Sequence, residues 1–144
     1  MESAAPLRYS KAMSEENVDA VRTVYEQWRN GNFRAGVDLY DPLVVLVQGT
    51  GFPEAGAYLG LEGIADYMRT FLEAWQRVTI EAEDLVDGGD SVVAAVVQRG
   101  IGKGSGASTE FRYFQVWSFR GGKVIRIEIL RDRSAAFDAA GISE

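Results

Sequence analysis

The sequence predicts an α+β fold in which helices come first and a curved antiparallel sheet wraps around them. Three observations carry this. Apolar residues recur at helical spacing in two stretches of the N-terminal half. Strand-like alternation dominates from Val78 onward. The strands after Arg77 are separated by short turns, which join antiparallel neighbours, so they should form a meander. A strongly curved sheet around helices leaves a conical cavity at its open end.

Val18, Val21, Val24, Tyr25 and Trp28 share one helical face, so a helix is expected from Ser14 to Asn30. Ser14 followed by Glu15 and Glu16 suits a helix start, because carboxylates favour the positive end of the macrodipole. Asn30-Gly31 should end it. Residues 1–12 lack periodicity and read as a flexible extension, which leaves residues 13–144 as a single domain. Phe33, Val37 and Tyr40 suggest a short second helix, stopped by Asp41-Pro42. A buried strand follows over 43–47. Four glycines and one proline make 48–60 a loop at the cavity rim.

Helical spacing returns through Ile64, Tyr67, Met68, Phe71 and Trp75, which predicts a helix over 61–76. Val78, Ile80 and Ala82 alternate with polar residues, as in a half-buried strand. Asp87-Gly88-Gly89-Asp90 is a turn, and Ser91 to Arg99 is a strand. The glycines of 100–106 mark a bulged hairpin end. The terminal hairpin runs from Phe111 to Phe119, turns at Gly121-Gly122, and returns from Val124 to Asp132. Ser134 to Ala140 reads as a last helical turn before Gly141.

At 144 residues the chain is long enough for one sizeable core. It contains no histidine and no cysteine, which removes the commonest general base, the commonest metal ligand and the best thiol nucleophile. No carboxylate cluster has metal-ligand spacing, so neither metal nor cofactor is expected. The formal charge is −6 and the arginines are scattered, which argues against nucleic acid as a partner. No apolar run approaches the roughly 20 residues that span a bilayer, and residues 1–11 lack a signal peptide's apolar region, so a cytoplasmic protein is expected. The glycines after Arg99 open no helix and so form no phosphate-binding loop.

Tyr25-Glu26-Gln27-Trp28-Arg29-Asn30-Gly31, Gly60-Leu61-Glu62-Gly63-Ile64 and Gly121-Gly122-Lys123-Val124-Ile125-Arg126-Ile127-Glu128 carry a family likeness. The tail Asp132-Arg133-Ser134-Ala135-Ala136-Phe137 adds to it. With this element order, residues 14–142 resemble the SnoaL-like branch of the nuclear transport factor 2-like superfamily. The resemblance implies a cone-shaped barrel, commonly a homodimer. It also implies positions for chemistry. The phenol of ketosteroid isomerases falls at Val24 or its neighbour Tyr25, their base near Gln48 and their acid near Gln115. The last-strand aspartate of polyketide cyclases and limonene-type epoxide hydrolases falls at Ile129, or one residue away at Glu128. A glutamine amide takes no proton near neutral pH, and isoleucine does neither job.

Arg99 ends an apolar strand and is expected to point into the cavity beside Ala95 and Val97, as a clamp for a ligand oxygen. An internal salt bridge or an exposed strand end is the alternative. Gln48 and Gln115 should face each other across the pocket, offering uncharged donors and acceptors. Trp28, Tyr40, Tyr67, Tyr113 and Trp117, with Ile129, form the candidate apolar and aromatic lining. Glu54 and Asp41 are the loop carboxylates that could act as a base, against a reading of both as solvated charges. Arg112, Phe114, Val116 and Ser118 lie on the outer sheet face, the candidate homodimer surface. These residues predict a pocket for a small, mostly neutral apolar metabolite, held without catalysis because the family carboxylates are replaced. The competing class is an isomerase, cyclase, dehydratase or hydrolase of a polyketide, steroid or terpenoid-like substrate, using Arg99 and a loop carboxylate. A structural dimer with a filled pocket is the third.

Overall fold

The first helix, α1 (Lys11–Arg29), forms along a stripe of Val21, Val24, Tyr25 and Trp28 that is buried on one face. It is described in a computed structural model covering residues 11–49, 51–52 and 55–143. The helix includes Lys11 and Ala12, which the sequence pattern leaves in the extension. Ser14 is inside it and donates from Oγ to the Lys11 carbonyl at 3.1 Å, so it is not the cap. The rest of the extension, and Glu54, lie outside the described residues. Gly31 ends the helix in the left-handed region at φ 88°, as a C-terminal glycine does.

The short second helix shrinks to a 3-10 turn, Val37–Leu39. Tyr40 opens β1 (Tyr40–Gln48) instead of closing a helix. Pro42 accounts for part of this, because it holds Asp41 extended. A four-residue strand, β2 (Gly56–Leu59), sits inside the expected loop and pairs antiparallel with β1, Val45 opposite Leu59. Then come α2 (Gly60–Glu73), β3 (Trp75–Asp87), β4 (Ser91–Gly102), β5 (Ser108–Arg120), β6 (Lys123–Leu130) and α3 (Arg133–Ala140).

The six strands form one sheet in the order β2-β1-β6-β5-β4-β3. β3 to β6 make the antiparallel meander that the short turns predict. β1 joins it in parallel beside β6, placing Gln48 opposite Ile129. A connection through α2 and the whole meander makes that parallel pair possible. β3 is bulged between Ala82 and Asp84, which sharpens the curl of the sheet.

The concave face holds α1 and α2. Val92, Ala94 and Val96 of β4 and Tyr113, Trp117 and Phe119 of β5 pack there with the α1 stripe. The convex face carries the opposite parity. Val93 and Val116 pack with Ala136 and Phe137 of α3, with Phe114 and Leu130 at the margin. The apolar part of the expected dimer face is therefore corrected: Val116 is 1 % exposed beneath α3 of its own chain. Ser118 is half-buried, and Arg112 is exposed.

The same parity corrects Arg99. Ala94 and Val96 face inward, so Ala95, Val97 and Arg99 do not. Arg99 joins a charged ladder across β3, β4 and β5, bonding Glu110 from Nε at 2.9 Å and Glu81 from Nη1 at 3.2 Å. Arg112 extends the ladder to Glu110 at 2.5 Å and Glu83 at 3.1 Å, and Arg29 reaches Glu81 at 3.8 Å. Hydrogen bonds from Arg112 hold Glu83 and Glu110 below the usual carboxylate range, helped at Glu110 by Arg99. These groups are exposed, so salt screens the ladder.

Where β3 meets the end of β4 the backbones close in on Trp75. A Cβ on Gly100 would lie 2.6 Å from the Trp75 ring and 2.9 Å from the Arg77 carbonyl. Gly100→Ala should therefore lower stability by about 1–3 kcal/mol through overpacking. Urea denaturation checks this, and an unchanged midpoint would mean that the sheet edge yields freely.

Candidate functional site

The concave side encloses a cavity of about 960 Å³. Its walls come from four sources. α1 supplies Trp28. The 33–40 segment supplies Phe33, Val37 and Tyr40. α2 supplies Ile64, Tyr67, Met68 and Phe71. The sheet supplies Leu46, Ile80, Tyr113, Gln115 and Ile127. α2 can do this because its apolar stripe of Ile64, Tyr67, Met68 and Phe71 packs against the core of the concave face. Arg34, Glu62 and Arg69 also border the cavity, and all three are exposed. Arg69 is paired with Asp66 on the same helix.

One polar chain is built into the inner wall. Trp117 donates from Nε1 to Tyr25 Oη at 3.0 Å. Tyr25 Oη in turn donates to Gln115 Oε1. The direction is forced, because indole nitrogen only donates, so the phenol must accept there and give its own proton onward. The atom that Gln115 turns toward Tyr25 must then be oxygen, and its amide nitrogen is left for the cavity. Beside this chain, Tyr113 Oη donates to Gln98 Oε1 at 2.9 Å. Tyr40 lies 6.4 Å from Trp117, ring centre to ring centre.

Burial raises the pKa of all three inner phenols. Tyr40 is pushed up to about 12. Tyr113 goes higher, with a smaller contribution from Tyr67. Tyr25 goes well above its ordinary value by burial, against the lowering effect of the Trp117 hydrogen bond. None of them is a base near neutral pH.

The candidate residues from the sequence divide cleanly. Trp28, Tyr40, Tyr67, Tyr113 and Gln115 are on the cavity wall. Trp117 lies behind it, fully buried, and Ile129 is 3 % exposed in the core. Glu128 takes the other face of β6 and pairs with Arg126 at 3.4 Å. Gln48 shares the inward parity of Val44 and Leu46 but is not on the wall described above. Its Oε1 is buried with no partner among the described residues. The expected Gln48–Gln115 confrontation is thus replaced by the Tyr25–Gln115 bond. Asp41 is off the wall and accepts from the Leu43 amide at 2.9 Å, a local turn contact. Arg99 is on the convex side.

Sequence reasoning missed Gln98 as the partner of Tyr113 and placed Ile80, Met68 and Phe71 in their elements without assigning them to the cavity wall. Gln98 was detectable, since it has the parity of Val96 and interrupts an apolar strand. The rim loop also turns inward. Phe52 sets its ring 6.0 Å from both Phe111 and Tyr113, edge to face. The Arg131 guanidinium covers Phe111 at 5.0 Å and donates to the Gly51 carbonyl at 3.0 Å.

Comparison with known proteins places this geometry. Residues 21–127 match the family profile of the SnoaL-like domain. No curated protein matches the sequence significantly. Among solved structures, an NTF2-like protein from Burkholderia thailandensis E264 is 25% identical, with a TM-score of 0.73 over 88% of this chain and 98% of that one. TerC, co-crystallised with polyporic acid, is 20% identical with a TM-score of 0.70, over 88% and 98% of the two chains. A protein of ketosteroid isomerase-like fold from Catenulispora acidiphila DSM 44928, in complex with trimethylamine, is 16% identical with a TM-score of 0.63, over 89% and 94%. The fold is NTF2-like. Among the described residues no helix is long and apolar enough to cross a membrane.

Two predictions follow from the polar chain. Tyr25→Phe strands the Trp117 N–H and the Gln115 carbonyl in the core and should cost about 2–4 kcal/mol in a urea unfolding curve. A loss below about 0.5 kcal/mol would mean that the chain contributes little. The raised phenols also set an alkaline limit. In the unfolded chain they ionise near 10, while in the fold they stay protonated. Their contribution is complete below about pH 10 and is lost as pH rises through about 12. Phenolate absorbance and unfolding curves between those values should show the buried tyrosines titrating only as the protein unfolds.

Proposed function

Since the chain belongs to the SnoaL-like domain family, we infer that it uses its cavity to bind a small, mostly neutral apolar metabolite, without carrying out acid–base chemistry on it. The observation that carries this is the composition of the wall. The inner surface offers aromatic and aliphatic side chains, raised phenols and one amide. The charged groups among the described residues of the wall, Arg34, Glu62 and Arg69, sit at the exposed mouth. A volume of about 960 Å³ is at the upper end of the range for small-molecule sites. The likeness to TerC, co-crystallised with polyporic acid, supports a ligand-holding role for the same fold. Replacement of the family carboxylates by Gln115 and Ile129 supports holding over turnover.

The enzyme alternative, an isomerase, cyclase or hydrolase, draws on one specific observation: Glu62 borders the cavity from the first turn of α2. A rate with a single ionisation, abolished in Glu62→Gln, would establish it.

The test of the binding reading is native mass spectrometry of the purified protein with solvent extraction, followed by ligand titration against Trp28 fluorescence. An apolar small molecule should be found or accepted. Ala65→Trp places a large ring at the mouth, where Ala65 is exposed. It should weaken binding at least about tenfold while changing stability by no more than about 0.5 kcal/mol. Undiminished binding in that variant would place the ligand elsewhere.

A further inference from the structure

We propose that the mouth of the cavity closes over its ligand as a clasp: the first turns of α2 swing against the 33–40 segment, pairing Glu62 with Arg34 and burying Leu61 against Val37. The inference rests on the binding reading above and adds to it how the ligand is retained.

α2 is held firmly at one end only. At its far end the Lys103 amide donates to the Ala74 carbonyl at 3.0 Å, and the Trp75 ring fills the space that Gly100 leaves. Its near end hangs from β2, a four-residue strand at the margin of the sheet. The joint is Gly60, in the left-handed region at φ 72°, where glycine turns without steric cost. Leu59 offers no side-chain cap to the helix start. Ile64 is the one buried residue of the helix, whereas α1 buries six. Yet α2 gives the cavity more of its wall than any other element among the described residues. Tyr67, Met68 and Phe71 line that empty volume and are only half-buried. A helix with so little packing sits at the low end of local stability.

The mouth carries matched groups on its two sides. Val37 and Leu61 both line the cavity, yet they are 49 % and 40 % exposed. A lone exposed apolar residue needs no explanation, but these two stand on different elements at one opening. Arg34 and Glu62 repeat the pattern in charge. Each is exposed on the same rim, and neither has an ion-pair partner among the described residues. Arg69, the other cation of the rim, is taken by Asp66. Glu62 is thus left with Arg34 as its complement on the wall. Closure gives each side what it lacks: one apolar residue leaves water against another, and a carboxylate meets a guanidinium. A ligand inside adds contacts to Tyr67, Met68 and Phe71, so the closed arrangement is favoured while the cavity is filled.

Stopped-flow fluorescence with pyrene, a neutral apolar probe, tests the charge pair. Arg34→Glu and Glu62→Arg should each speed pyrene release about threefold, the size expected of one exposed ion pair. The double variant Arg34→Glu/Glu62→Arg should return to the wild-type rate. High salt should speed release from the wild type by a similar factor. Nitroxide labels at Val37→Cys and Leu61→Cys test the movement, and the cysteine-free chain leaves no background labelling. Their separation should shorten when pyrene binds. Release rates untouched by either reversal, or additive effects in the double variant, would overturn the clasp. So would an unchanged label separation with pyrene bound. Each of these results leaves the cavity reading standing. No binding of pyrene would overturn the cavity reading, and the clasp with it.

Discussion

The Trp117–Tyr25–Gln115 chain is the constraint on which the interior depends. It ties α1 to β5 through residues about 90 positions apart in the sequence. It does so at a depth where an unmade hydrogen bond costs more than a made one contributes. Each member narrows the next. An indole can only donate, so the phenol must accept, so the amide must turn its oxygen inward. One orientation of Gln115 results, and with it one polarity for the inner wall. The aromatic packing enforces the same arrangement, because Tyr25 is edge-on to both Trp28 and Trp117, with ring centres 5.2 and 5.8 Å apart.

Most of the fold was legible because its signals are local. The helical stripe of α1, the Gly121-Gly122 turn and the alternation of the last four strands each declare themselves within a dozen residues. What was not legible depends on partners distant in sequence. The parallel seating of β1 beside β6 has no local mark. β2 is four residues long, too short for a period-two pattern to stand out among glycines. Tyr40 fits a helical spacing with Phe33 and Val37, but strand pairing with Val124 and the stiffness of Asp41-Pro42 override it.

The candidate site shows the same division more sharply. The aromatic wall was readable from composition and spacing, since large rings on a concave face have little else to do. The polar groups were not, because their roles are set by parity and by each other. Arg99 illustrates this. In a nearly uniform apolar strand, Val92 to Val97, nothing in the sequence says which parity faces the cavity. The answer lies with neighbours: Glu81 and Glu110 stand beside Arg99 on the adjacent strands and claim it for the convex face. Once that parity is set, Gln98 falls inward and becomes the acceptor for Tyr113.

The two faces of β4 and β5 thus separate charge from polarity. The convex side takes the arginines and glutamates, where water and mutual pairing hold them at little net gain. The concave side keeps hydroxyls and amides, which can be buried if most of their valences are met. The Trp117 indole, the Tyr25 and Tyr113 hydroxyls and the side-chain oxygens of Gln98 and Gln115 satisfy one another. What that accounting leaves over, among the described residues, is the Gln48 oxygen, buried without a partner at the depth where an unmet polar atom costs most.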